Sequence, residues 1–153
     1  MASVALQYVE VKMKFNAHGE WRVHIEDSTI YISLKGAFNR EGVLDFQHDI
    51  VQKVTSLSQP CDSVVLDLSL FEMGTPDSFE ATKQYFEGVK QRGYVWADYI
   101  GVNSLAEHTL KQMWQGAKTQ LSFYPDEQTY LAHKPEHQQA LAVLSQIRFE
   151  HPH

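Results

Sequence analysis

The chain opens with alternation. Val9, Val11, Met13 and Phe15 alternate with Glu10, Lys12 and Lys14; Val23 and Ile25 with Arg22, His24 and Glu26; Ile30, Ile32 and Leu34 with Tyr31, Ser33 and Lys35. A strand points successive side chains to opposite faces, so a period of two with one polar face predicts three half-buried strands. Asn16-Ala17-His18-Gly19 and Glu26-Asp27-Ser28 are turn-forming and join the three in a meander. After Gly36 the period changes. Val43, Phe46, Ile50, Val54 and Leu57 recur at helical spacing and predict a helix over 39–58, broken by Pro60 and Asp62. Residues 63–69, Ser-Val-Val-Leu-Asp-Leu-Ser, form the short apolar run of a central parallel strand. A second helix is predicted over 77–92, with Phe79, Phe86 and Val89 inward, Asp77 and Glu80 as a capping box and Gly93 as its C-cap. A strand over 95–102 follows. Asn103 or Ser104 then caps a third helix with Leu105, Thr109, Met113 and Trp114 facing in. A strand over 119–124 leads into Pro125-Asp126-Glu127, which opens a short helix to about 133. Pro135 ends it, and Ala140, Leu141, Leu144 and Ile147 mark a terminal amphipathic helix over about 136–149.

The order is a meander followed by alternating helices and strands, an α/β chain with antiparallel strands first and a parallel sheet after them. The early strands each keep one polar face, whereas a sheet covered on both sides reads as continuous apolar runs. Helices are therefore expected mainly on one face. The other face would gather His24, Glu26, Tyr31, Ser33 and Lys35, either as a solvated surface or as one that binds a partner or ligand.

Length and composition narrow the class. The 153 residues suit one domain, 1–153, and 43% hydrophobic residues suffice for a core and exclude disorder. A formal charge of −6 argues against a sequence-blind nucleic-acid binder, which needs a cationic surface. Cys61 is the only cysteine, so neither a disulfide framework nor a cysteine-rich zinc site is expected. No apolar run approaches the ~20 residues of a membrane span. Residues 1–10 lack a basic start followed by an apolar run, so a cytoplasmic location is expected.

Four stretches resemble the STAS family, the anti-sigma-factor-antagonist or SpoIIAA-like proteins of bacteria. They are Ile32-Ser-Leu-Lys-Gly36, Val64-Val-Leu-Asp-Leu-Ser69, the helix ending at Arg92-Gly93, and Phe123-Tyr-Pro-Asp-Glu127. The resemblance covers about 20–134 and leaves an extra N-terminal strand at 4–15 and the terminal helix outside it. It implies a SpoIIAA-like mixed sheet and a non-enzymatic regulatory role, docking a kinase-like or anti-sigma-like protein through residues 73–79, with a homodimer also possible. The family's Asp-Ser-Ser-Gly motif falls on Thr75, Pro76, Asp77 and Ser78, so the chain departs from it. The kinship of this fold with lipid-binding CRAL-TRIO domains implies an alternative, a small apolar ligand.

The chemistry follows. A helix start exposes unpaired N–H groups and a positive dipole end. Thr75, Asp77 or Ser78 can simply cap the helix there. Alternatively, Asp77 is a built-in substitute for a phosphate, or Thr75 or Ser78 is phosphorylated. Asp67 and Asp98 lie on neighbouring strands. Asp67 reads as a structural carboxylate anchoring a loop at its strand end; paired acid–base work is the alternative. Phe86, Trp96 and Tyr99 read as core or, alternatively, as the wall of an apolar pocket. No metal site and no cofactor are expected. His133 and His137 are separated by Pro135, and His151 and His153 flank Pro152. Cys61 has no basic neighbour to activate it. No nucleophile elbow, phosphate loop or dinucleotide fingerprint is present.

Overall fold

The computed structural model describes residues 17–133 and 138–149. The alternating segment expected at 4–15 lies outside them. Five strands form one mixed sheet in the order β1-β2-β3-β4-β5: β1 Glu20–Glu26, β2 Thr29–Ala37, β3 Ser63–Glu72, β4 Trp96–Ile100 and β5 Gln120–Tyr124. β1 and β2 are antiparallel, from Glu20 opposite Lys35 to Glu26 opposite Thr29. Asp27 takes a positive φ of 54° in the tight turn between them, a conformation Asp tolerates better than most residues. The remaining pairs are parallel, and β2 slips by one residue against β3 between Ser33 and Lys35.

Helices connect the parallel strands: α1 Arg40–Thr55, α2 Phe79–Gln91 and α3 Ser104–Met113. Crossovers of one hand between successive neighbours place all three on one face. There Val43, Phe46 and Ile50 of α1, Ala81, Phe86 and Val89 of α2, and Trp114 just beyond α3 join Ile30, Ile32, Val64, Leu66, Ala97 and Tyr99 of the sheet. Both predicted asparagine caps form. Asn39 Oδ1 accepts from Gly42 N at 2.8 Å and Asn103 Oδ1 from Ala106 N at 2.8 Å, satisfying N–H groups that have no helical partner. Gly93, with φ of 72°, follows the last turn of α2.

The capping box does not form. Pro76–Ser78 is a 3-10 turn, and α2 starts only at Phe79, after Ser78, which makes no side-chain cap bond. Two inward assignments also change. Phe79 is 53% exposed because it stands at the first position of α2, at the end of the core, with too little structure over it to bury the ring. Leu105 is 61% exposed because the inward stripe of α3 runs through Ala106, Leu110 and Met113.

The second face is covered. α4 (Glu127–His133) and α5 (Gln138–Ile147) lie across it, and a second core joins Tyr31, Val65, Ile100 and Tyr124 to Tyr130, Ala140, Val143 and Leu144. Tyr31 and Ser33, expected on an open face, are therefore buried. His24, Glu26 and Lys35 stay half-exposed at the margin, where α5 adds polar contacts. Gln139 Nε2 donates to Glu26 Oε2 at 3.3 Å, Arg22 Nη1 donates to Arg148 O at 2.9 Å, and the Arg22 guanidinium stands 4.3 Å from the Phe149 ring centroid. A polar strand face can be covered this way because long side chains keep their charged ends at the rim while their stems are buried.

Candidate functional site

The face under α1, α2 and α3 is not filled. It encloses a cavity of about 370 Å³. Its floor is the sheet, with Ile30, Ile32, Val64, Leu66 and Tyr99; its walls are Val43, Phe46 and Ile50 from α1, Tyr85, Phe86 and Val89 from α2, and Leu110, Met113 and Trp114 from the α3 side. The exposed residues of the lining mark the opening: Met73, Gly74, Thr75, Pro76 and Phe79 on one side, flanked by the half-buried Ala106 and Thr109 of α3. None of the described lining residues carries a charge or an imidazole. The wall is stiff where aromatic rings interlock. Trp114 Nε1 donates to Tyr99 Oη at 2.8 Å, and the Phe86 and Trp114 rings meet edge to face at 5.7 Å. Burial pushes the Tyr85 phenol up to about 12 and raises Tyr94 and Tyr99 as well, so all three stay neutral. Arg92, with Nη1 3.5 Å from Tyr94 Oη, is the cation behind this wall and is not part of the lining.

The opening loop is held by its own backbone. Thr75 N donates to Phe38 O at 3.1 Å, and Ser78 Oγ donates to Thr75 O at 2.7 Å. Gly74 is required for this packing: a Cβ there would stand 2.7 Å from Phe38 O and 2.7 Å from Ser78 Oγ. Thr75 Oγ1 donates to the Asp77 carboxylate, so the two side chains of the expected docking segment are tied to each other. Thr75 and Asp77 are exposed. Ser78 is buried with its hydroxyl turned inward, so a kinase would reach it only after the turn opened.

The residues singled out from sequence are thus divided. Thr75 and Ser78 lie at the cavity mouth and Phe86 and Tyr99 in its wall, while Asp77 is beside the mouth. Trp96 is a correction: its side chain packs with the second core on the opposite face and does not line the cavity. Trp96 and Tyr99 are three apart on one strand, and odd separations put side chains on opposite faces. Cavity residues that sequence reasoning missed include Thr82, Ala106 and Leu110; the signal for the last two was their four-residue spacing on α3.

Asp67 and Asp98 share the second face, since Asp98 stands opposite Val65 and Asp67 follows two residues later. Asp67 accepts from Ser69 N at 3.0 Å and Ser69 Oγ at 2.6 Å in mid-strand, where β3 shifts register against β2, and not at the strand end as expected, because β3 runs on to Glu72. Asp98 has no exposed surface and accepts a hydrogen bond from Tyr130. Burial, then the nearby Asp98 charge, raises the Tyr130 phenol and keeps its proton in place. A polar hollow beside β3 takes in Asp67, Ser33, Asp126 and Arg148 but not Asp98, so it does not unite the two carboxylates. Among the described residues no group of three or more His, Cys, Asp or Glu is placed to hold a metal ion. Burial, then Asp62, raises the Cys61 thiol, opposite to the shift that activates a nucleophile. No helix among the described residues is long and apolar enough to cross a membrane.

No family model and no curated protein sequence matches the chain. Solved structures do. An uncharacterized protein of the DUF3478 family from Shewanella loihica, with a SpoIIAA-like fold, superposes with a TM-score of 0.56 at 11% identity, over 78% of this chain and 95% of that one. The NMR structure of the protein TM1081 matches with a TM-score of 0.50 at 14% identity, over 80% and 90%. An anti-sigma factor antagonist from Mycobacterium paratuberculosis matches with a TM-score of 0.49 at 16% identity, over 76% and 93%. The protein is an α/β protein of the SpoIIAA-like fold, divergent in sequence from these structures.

Proposed function

We propose that this protein is a non-enzymatic binding domain that holds a small apolar molecule between the sheet and α1, α2 and α3, admitted past residues 73–79. The carrying observation is the cavity of about 370 Å³ with an uncharged lining. Protein interiors are normally packed to crystal density, and about 150 Å³ of dry apolar space is enough for benzene. Apolar side chains bordering unfilled space lack the contacts that a filled core makes, and an apolar occupant would supply them. The described lining holds no carboxylate, imidazole, amine or thiol, which favours binding over catalysis.

The test is titration with the neutral fluorescent probe N-phenylnaphthylamine, alongside native mass spectrometry of the gently desalted protein. Probe emission should rise with saturation, and Ala106→Phe, which places a ring in the mouth, should abolish the rise while leaving the melting temperature nearly unchanged. A flat titration together with a ligand-free mass overturns the reading.

A second reading is favoured by a different observation. Met73, Phe79 and Leu105 expose 58%, 53% and 61% of their surface, which suits a protein partner docking on the loop and helix starts. A kinase-like or anti-sigma-like protein is the partner class that the resemblance suggests. Asp77→Ala should then weaken capture of that partner without changing stability; unchanged affinity removes Asp77 from the interface.

A further inference from the structure

Hydroxyl groups cluster at the mouth of the cavity. Four of them, on Thr75, Ser78, Thr82 and Thr109, surround the opening or line the cavity next to it. A Ser or Thr hydroxyl has one proton to donate and two lone pairs to accept with. Each of these four protons is already committed within the protein. Thr75 donates to Asp77, Ser78 to Thr75 O at 2.7 Å, Thr82 to Ser78 O at 2.9 Å and Thr109 to Leu105 O at 3.1 Å. What these four leave facing a ligand at the mouth is lone pairs; the Tyr85, Tyr94 and Tyr99 phenols, which keep their protons, belong to the wall. The lone pairs can receive an O–H or N–H, and they have nothing to give a carboxylate, which only accepts.

The surrounding charge acts in the same direction. Between residues 72 and 83 stand Glu72, Asp77 and Glu80 against Lys83, whose Nζ lies 3.9 Å from Glu80 and 5.7 Å from the centroid of the Phe79 ring at the mouth, so the net charge there stays negative. On α3, Glu107 is matched by Lys111 at 3.6 Å. An anionic head would meet like charge outside the mouth and no cation within the described lining, so its desolvation would go uncompensated.

From these two features we infer that the site takes an apolar molecule ending in a neutral hydrogen-bond donor, an alcohol or amide N–H, and rejects the corresponding carboxylate. This rests on the cavity being a ligand site, as proposed above. The specificity comes from donors already in use, so it belongs to the local fold of the 3-10 turn and the first turns of α2 and α3.

The experiment is competition against N-phenylnaphthylamine by octanol, octanoate and the headless hydrocarbon naphthalene at pH 7.5. Octanol should displace the probe at least tenfold more tightly than octanoate. Thr82→Val, which keeps the shape and removes one acceptor, should reduce the affinity for octanol relative to naphthalene severalfold. Thr109→Lys, which supplies a cation at the mouth, should bring octanoate up to or above octanol. Octanoate binding as tightly as octanol, or naphthalene binding while octanol does not, overturns the head-group selection and leaves the cavity reading standing. Failure of all three competitors and of the probe removes both.

Discussion

The two faces of the sheet teach opposite lessons. The face under α1, α2 and α3 has the more apolar residues, yet it encloses a cavity. The face under α4 and α5 carries Ser33, Asp67 and Asp98 among its buried residues, yet Leu144 and Tyr130 are fully buried against it. Apolar composition sets the drive to exclude water; complementarity of shape decides whether the space fills. Polar groups on the second face tighten it because each has a partner: Tyr130 for Asp98, Ser69 for Asp67, and Thr29 Oγ1 2.9 Å from Ser63 Oγ beside them.

Truncations give the largest contrast. Leu144→Ala, in the filled face, should lower unfolding free energy by about 2–5 kcal/mol. Leu110→Ala, in the cavity wall, should lose under about 2 kcal/mol, since one side of that leucine already lacks neighbours. Equal losses by urea denaturation would show that the two faces are packed alike. Removing a buried donor comes next. Tyr130→Phe leaves the Asp98 carboxylate one hydrogen bond short with no route to water and should cost about 1–3 kcal/mol. A loss indistinguishable from zero would show that Asp98 finds another donor.

Insertions sharpen the same comparison in the other direction. Ala140→Leu forces extra methylenes into the filled face and should destabilise by about 1–3 kcal/mol. Ala106→Phe has room to occupy and should stay within about 1 kcal/mol of the parent protein. Reversed signs would overturn the assignment of the void. The smallest effect lies at the edge of the cavity face. The hydrogen bond from Lys53, then that from Trp21 Nε1 at 2.8 Å, holds the Asp49 carboxyl below the usual carboxylate range. A depressed folded value stabilises the protein above the ordinary pKa of about 3.9, and that contribution disappears as pH falls through the depressed one. Asp49→Asn should therefore be slightly less stable at neutral pH and converge with the parent in acid, read from melting temperature against pH. Parallel curves would remove Asp49 from the acid response.

Local signals were legible where a residue's role depends on its sequence neighbours. Asn39 and Asn103 cap their helices, Gly93 closes α2, and the run from Ser63 forms the central strand, because caps and turns satisfy backbone groups within a few residues. The expectation for Phe79 went wrong for a reason of the same kind in reverse. Periodicity assigns a residue to a helix stripe, but burial also requires something to lie over that position, and nothing covers the first position of α2 at the cavity mouth. The site was half legible: Thr75 and Ser78 were marked together at a helix start and Phe86 and Tyr99 together as the wall of an apolar pocket, and nothing in the chain indicated that the two groups border one space.

The sequence by itself determined the alternation of strands and helices, the caps and the acidic balance, since each depends on residue type and short spacing. Tertiary structure alone decided the rest. Tyr130, Val143 and Leu144 pack on Tyr31 and Val65 from far along the chain, which turned an expected open face into a buried one. The void beneath α1, α2 and α3 arises from the volumes of side chains contributed by three helices and the sheet, a sum over distant positions that no local pattern encodes.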